Sequence, residues 1–399
     1  MNAAAVRSEH DVALAEQLLA EPEVQQLKGQ LDERGGRGTR RSLLASALRL
    51  TPEVAPELHA TVQACRARLD VTTEVELFVF ASPAYNAACT QPEGERVFVL
   101  LASSLLEAFA PDELAYVVGH ELGHHVYGHH EVPAQVLLQH GRGLRPELVL
   151  RAFAWQRHAE ISADRAGLLC CGGLDGAARS LFKLSSGLRN APGPENIEAF
   201  LDQASELTAE SDALQAGVDR VFTGDWLSTH PFSPLRLLAA RVFASSEAMV
   251  AGGTPMAVVE REVLDLMGVM EPGYLQEDSP EAESMRRVLF AAGLVVASSY
   301  EGVSSEERDT LESLLGPGSV PRELAIERVR EVLPRRLDTV REGATPSRRA
   351  QLLRDLVLVA RADGHVHDVE VAALCAVATR LGLGERLVHE ALGSPVELD

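Results

Sequence analysis

The 399-residue chain is 46% hydrophobic and 24% charged, which excludes wholesale disorder and leaves ample apolar material for a core. Its 37 lysines and arginines stand against 58 acidic residues, a formal charge of -21 that argues against a nucleic-acid backbone or an anionic membrane surface as partner. Five cysteines without a C-x-x-C pair speak against a disulfide framework or a zinc knuckle. The N-terminus breaks into charges before the apolar core of a secretory signal can form. The most apolar window, residues 288–297, falls far short of the roughly 20 residues that a bilayer span needs. The expectation is a cytoplasmic protein with no membrane span and no nucleic-acid partner.

In chain order, apolar residues recur at helical spacing over residues 10–33 (Val12, Leu14, Leu18, Leu19) and 42–69 (Leu43, Leu44, Leu48, Leu50), predicting two amphipathic helices. The basic, glycine-rich residues 34–41 between them read as a solvated loop. Residues 75–80 and 96–100 are rich in β-branched and aromatic types and are separated by a turn-like Gln91-Pro92-Glu93-Gly94. They predict two strands of a small sheet. From Pro111 a helix is expected to reach about Gly128, with Leu114, Val117 and Val118 on its apolar side. Further helices are expected over 145–170, 175–187, 195–221, 233–250 and 257–269. Glycine- and proline-containing segments at 251–255 and 271–280 bracket the last of these and mark a domain boundary. The fold class expected is mainly α with a small β-sheet, followed by a C-terminal all-α domain. The expected organisation is an N-terminal helical segment at 1–50, a domain at 51–250, a linker with a short helix at 251–280 and a helical domain at 281–399.

The helix expected from Pro111 contains His120-Glu121-Leu122-Gly123-His124. Side chains four apart stack on one helix face about 5 to 6 Å apart, so two imidazoles can meet one zinc ion. Glu121 beside the metal can take a proton from zinc-bound water, whose pKa the metal lowers towards about 7, and later hand it to the leaving amine. The plainer reading, polar residues on a solvated helix face, sits badly with Leu114, Val117, Val118 and Leu122, which imply a buried helix whose polar groups need partners. Zinc needs a third protein ligand and one position left for water. His130 holds the third-histidine place of H-E-x-x-H-x-x-G-x-x-H, but Tyr127 stands where that arrangement needs glycine. Glu160 is the other candidate, with Asp164 four residues on. One helix face could thus supply a carboxylate ligand and an acceptor for a ligand histidine's free N–H. Spacing alone leaves an ordinary acidic helix face equally open.

Residues 55–245 resemble the HtpX-like and CAAX-prenyl-protease-like zinc metallopeptidases, gluzincins whose pattern is H-E-x-G-H followed by E-x-x-x-D. Four motifs stand in family order. They are Ser82-Pro83-Ala84-Tyr85-Asn86-Ala87-Ala88 after the first strand, His120 to His124, Glu160 to Asp164, and Ser228-Thr229-His230-Pro231-Phe232-Ser233-Pro234-Leu235-Arg236. The resemblance implies an α+β zincin-like peptidase domain in which His120, His124 and Glu160 bind one Zn2+ and Glu121 is the general base. It implies further that Asp164 supports the ligands and that His230 donates to the oxyanion of the tetrahedral intermediate. Arg236 would support the cleft, and Asn86 and Ala87 would lie along it. Zinc is expected over iron or manganese because a His, His, carboxylate set with an open position suits it. His125, His129, His130, His140 and His158 are left as solvated or packing residues, His129 being the first exception to consider. Many members of the family are integral membrane proteases. The missing span points instead to a soluble endopeptidase acting on peptides or unfolded proteins.

Residues 281–395 carry a weak internal repeat. Apolar residues 289–297 lead into an acidic turn at 300–307 and then Leu311, Leu314 and Leu315; residues 352–360 lead into 362–370 and then Leu374 and Leu381. This resembles a TerB-like domain of the tellurite-resistance group, which implies an all-helical fold. Asp363 and Glu370 could hold a divalent cation, but turn formation followed by N-terminal helix charge is the simpler reading. His365 and His367, two apart, would fall on different helix faces. A surface for a protein partner, or one that regulates or targets the peptidase, is the role expected of this domain. The alternative to a peptidase is a latent or non-proteolytic stress-response scaffold with a vestigial zinc site.

Overall fold

The computed structural model describes residues 3–34, 38–139, 146–190, 198–203, 231–268, 270, 274, 279–300, 302–315, 319–320, 326–362 and 365–393. The chain divides into two compact units. The first comprises Met1–Ala134, Ala154–Ala204 and Thr229–Met267; the second comprises Gln135–Phe153, Ser205–Ser228 and Gly268–Asp399.

The first unit begins with α1 (Glu9–Ala20) and α2 (Pro22–Arg34), where the sequence predicted one helix. Glu21 is extended ahead of Pro22, whose missing N–H and fixed φ suit the first position of a new helix. The helix expected over 42–69 is likewise divided, into α3 (Thr39–Ser46), a strand β1 (Leu48–Leu50) and α4 (Pro56–Leu69). Leu48 and Leu50 therefore belong to a sheet. β1 pairs antiparallel with β2 (Glu74–Phe80), and this tertiary pairing overrides the local helical spacing.

Two further strands, β3 (Ala87–Cys89) and β4 (Arg96–Ala102), complete a sheet of order β1-β2-β4-β3. β2 and β4 run parallel, with Leu77 opposite Val99, whereas β3 runs antiparallel to β4 with Ala88 opposite Leu100. Central β4 reads as an almost unbroken apolar run because Val97, Phe98, Val99 and Leu101 are all fully buried. β3 lies at the edge. The Asn86 carbonyl accepts from Ala102 N–H at 2.9 Å and Thr90 N–H donates to the Phe98 carbonyl at 2.9 Å. Alternation along an antiparallel ladder therefore turns the backbone groups of Ala87 and Cys89 towards the open side.

After α5 (Ser103–Ala108) comes α6 (Pro111–Val126), followed by α7 (Ala134–Gln139), α8 (Pro146–Cys171) and α9 (Leu174–Ser186); of these, α7 beyond Ala134 and α8 up to Phe153 belong to the second unit. Pro111 opens α6, and the Glu113 carboxylate reaches back to accept Ala110 N–H at 2.7 Å. The same carboxylate pairs with Lys183 at 2.6 Å and Arg179 at 3.1 Å on α9, so the helix start is fixed by buried charge. α6 also packs on α4, β3 and β4. Its crossing with α8 is unusually close. A Cβ on Gly119 would stand 2.6 Å from the Cys170 Cβ, and one on Gly123 would stand 2.8 Å from the Ala166 Cβ. Helices Ser233–Ala244 and Met256–Met267 finish this unit. Of the helix expected over 195–221, only 198–203 is described, and it is helical.

In the second unit, helix Pro280–Ala297 packs against helices Ser305–Leu315, Ile326–Gly343, Pro346–Ala360 and Asp368–Arg380. Met285, Val288, Leu289, Ala292 and Val296 are buried there with Leu353, Leu356 and Leu374. The two halves of the repeat use one device at their turns. Glu307 accepts Ser304 N–H at 2.8 Å, and Glu370 accepts His367 N–H at 2.8 Å. The Tyr300 and His367 rings, one from each turn, stack with centroids 3.7 Å apart. Glu370 thus caps a helix, while Asp363 lies outside the described residues. Among the described residues, no helix is long and apolar enough to cross a membrane.

Candidate metal centre

α6 and α8 bring together His120, His124 and Glu160, whose ligand atoms all lie within 4.8 Å of one another. His120 Nε2 is 3.2 Å from His124 Nε2 and 3.4 Å from Glu160 Oε2; His124 Nε2 is 3.3 Å from Glu160 Oε1. The close crossing makes this possible. Gly119 and Gly123 sit on the same helix as the histidines, and Ala163, Ala166 and Cys170 face them from the helix that carries Glu160. Larger residues would hold the carboxylate away.

Asp164, one turn beyond Glu160, accepts from Tyr116 Oη at 2.6 Å, from Arg236 Nε at 2.9 Å and Nη2 at 2.6 Å, and meets His120 Nδ1 at 3.0 Å. Burial pushes its carboxyl up, but the Arg236 guanidinium and His120 outweigh that and hold it down at about 2. An ionised Asp164 is acceptor-only, so His120 donates from Nδ1 and its Nε2 faces Glu160. Arg236, from helix Ser233–Ala244, also approaches Glu160 Oε2 at 3.3 Å.

The partner of the second histidine is a residue that spacing left aside. His129 is buried in the short turn His129–Glu131, with its Nδ1 2.8 Å from His124 Nδ1 and its Nε2 2.9 Å from Asp11 Oδ2. Burial lowers His129 to about 4, which keeps it neutral. Asp11, 118 residues away in sequence, gave no signal in the chain's patterning. His130 stacks on His125 and does not join the ligand group. His125 meets the Thr73 hydroxyl at 3.1 Å, and His158 lies against His10.

Glu121 is half-buried on α6 beside β3. Burial pushes up the thiol of Cys89, in edge strand β3, and the Glu121 carboxylate adds to that rise. Ala87 lies in that strand and exposed Asn86 immediately before it. His230, expected as an oxyanion donor, and His140 lie outside the described residues.

Residues 52–243 match the model of peptidase family M48, and residues 286–392 match that of tellurite resistance protein TerB. The chain carries an M48 peptidase domain followed by a TerB domain. Over 170 residues it is 29% identical to the plastoglobule-localized metallopeptidase 48, chloroplastic, of Arabidopsis thaliana, a match covering 40% of this chain and 49% of that protein. The chain thus spans about half the length of this curated relative. No solved structure matches it. The candidate centre falls inside the M48 segment, whereas Asp11 and the whole of α1 precede it.

Proposed function

We propose that the chain is a zinc-dependent metalloendopeptidase in which His120, His124 and Glu160 hold one zinc ion. The observation that carries this reading is the set of two imidazole nitrogens and a carboxylate within 4.8 Å, on two helices of the M48 domain. That donor set fits zinc with one position left for substrate or water. A zinc ion bound there would activate a water and polarise the scissile carbonyl.

Glu121 is the general base in this reading. Its carboxylate takes the proton of the attacking water and returns it to the leaving nitrogen, which needs a group close to the metal yet reachable by substrate. Its place next to His120 on α6 and its half-burial suit both needs. An extended substrate adds to the open side of β3, its backbone pairing with the outward groups of Ala87 and Cys89. Main-chain pairing is indifferent to side-chain identity, which suits peptides and unfolded proteins. Asp164 and Arg236 orient His120 and Glu160, and His230 serves as an oxyanion donor. The TerB domain regulates access or recruits targets.

The test is cleavage of an unfolded protein by the full chain and by Glu121→Gln. Loss of about 10²- to 10⁴-fold with zinc content unchanged is expected. Equal cleavage by both would remove Glu121 from the mechanism, and no cleavage by a zinc-loaded wild type would remove the peptidase reading.

A further inference from the structure

We propose that Asp11 and His129 are positioning residues for the metal centre, acting as a hydrogen-bonded relay that fixes the tautomer and orientation of His124. The proposal rests on the reading of His120, His124 and Glu160 as metal ligands. Asp11 is fully buried and accepts from Arg7 Nε at 2.7 Å, Trp155 Nε1 at 3.0 Å and Ser162 Oγ at 2.8 Å. Burial pushes its carboxyl up, but His129 and Arg7 hold it far below the usual range. An ionised Asp11 only accepts, so the 2.9 Å contact with His129 Nε2 is donated by the imidazole. With its Nε2–H given to Asp11, His129 offers Nδ1 as an acceptor, and a His124 that binds metal through Nε2 must carry its own proton on Nδ1. The 2.8 Å contact between the two Nδ1 atoms is consequently donated by His124.

The result is a His124 whose Nε2 carries the free lone pair, and that atom is the one beside His120 Nε2 and Glu160. His120 reaches the same tautomer directly through Asp164. The two ligand histidines therefore end on carboxylates, one at a single step and the other through an imidazole. The second carboxylate comes from α1, outside the segment 52–243 that matches the peptidase family. The start of α1 is held to fit. Ser8 N–H donates to Ser162 Oγ at 3.0 Å, Ser8 Oγ donates to Glu260 at 3.1 Å, and Arg165 donates to the Val6 carbonyl at 3.1 Å. α1 is in this sense part of the metal centre, and any event that withdraws it loosens His124.

The experiment is chelator competition for zinc at fixed pH on full-length wild type, Asp11→Asn, His129→Gln and the double variant. Circular dichroism and thermal midpoints accompany it. Each single change is expected to weaken zinc binding about 10- to 100-fold, the usual effect of removing a partner behind a ligand histidine. The double is expected to weaken it no further than about twofold beyond the worse single, because a relay broken once is already broken. His129→Gln leaves Asp11 with Arg7, Trp155 and Ser162, and so reports on the relay even if Asp11→Asn fails to fold. Folded single variants that bind zinc within about twofold of wild type, or losses that simply add in the double, would overturn the relay. A wild type that takes up no zinc would overturn the metal reading and the relay with it.

Discussion

His120 sits between two carboxylates, and its charge state links metal binding to pH. Burial would lower its pKa, but Glu160 and Asp164 raise it from the ordinary 6.5 to about 10 when no metal ion is present. The group's folded value lies above its unfolded one. Its contribution to metal-free stability is therefore complete below about 6.5 and is lost as pH rises through about 10. A zinc ion held by His120 would have to displace that proton. Calorimetric titration of the chelator-stripped protein at pH 8, in two buffers of different ionisation enthalpy, is expected to show about one proton released per zinc. Zinc uptake with no proton release would place the ion elsewhere. Much of this residue pattern was legible in the sequence. The H-E-x-x-H helix and the Glu160–Asp164 pair could be read from spacing and resemblance because each is local to one helix. Asp11 could not be, since its role depends on a contact across 118 residues that no periodicity reports. Nor does any spacing mark out Tyr116, which donates to Asp164 at 2.6 Å.

Among the elements, the α6–α8 crossing sets the distance between the candidate ligands, and glycine is what permits it. Gly123→Val would place branched atoms where even a Cβ lies 2.8 Å from Ala166 Cβ and 3.2 Å from Ala163 Cα. Separation of the helices is expected to cost about 1 to 3 kcal/mol in a chemical-denaturation titration and to weaken zinc binding with it. An unchanged midpoint and affinity would show that the crossing tolerates the bulk. The edge strand offers a second test. Ala87→Pro removes an N–H that faces the open side of β3 and leaves the ladder to β4 intact. A fall of about tenfold in kcat/KM with little change in melting temperature is expected, since one lost hydrogen bond is worth about 1 to 1.5 kcal/mol. Unaltered kinetics would argue against strand addition. β1 is the element the sequence concealed. Its three residues carry helix-compatible spacing, and only pairing with β2 makes them a strand.

For the molecule as a whole, the unit that holds the candidate centre gathers residues from Met1–Ala134, Ala154–Ala204 and Thr229–Met267, so the N-terminal helices share it with the M48 segment. The second unit has its own core around helix Pro280–Ala297. Its repeat was readable because each half joins two apolar helical runs through an acidic turn, a local signal that survives without knowledge of packing; the structure adds that Glu307 and Glu370 cap the helices after those turns. Metal binding stabilises only the state that presents the site. Free zinc 1,000-fold above its Kd should add about 4 kcal/mol to the first unit. Scanning calorimetry with and without a chelator is expected to shift the transition of that unit, and an unshifted thermogram would mean that the folded centre does not hold zinc.

The central claim is that one zinc ion rests on His120, His124 and Glu160. Anomalous diffraction at the zinc edge from crystals of the full chain grown with zinc addresses it directly. The expected result is a single strong peak about 2.0 to 2.2 Å from Nε2 of both histidines and from a Glu160 carboxylate oxygen. A peak coordinated by other residues, or none at this group in zinc-saturated crystals, would contradict it.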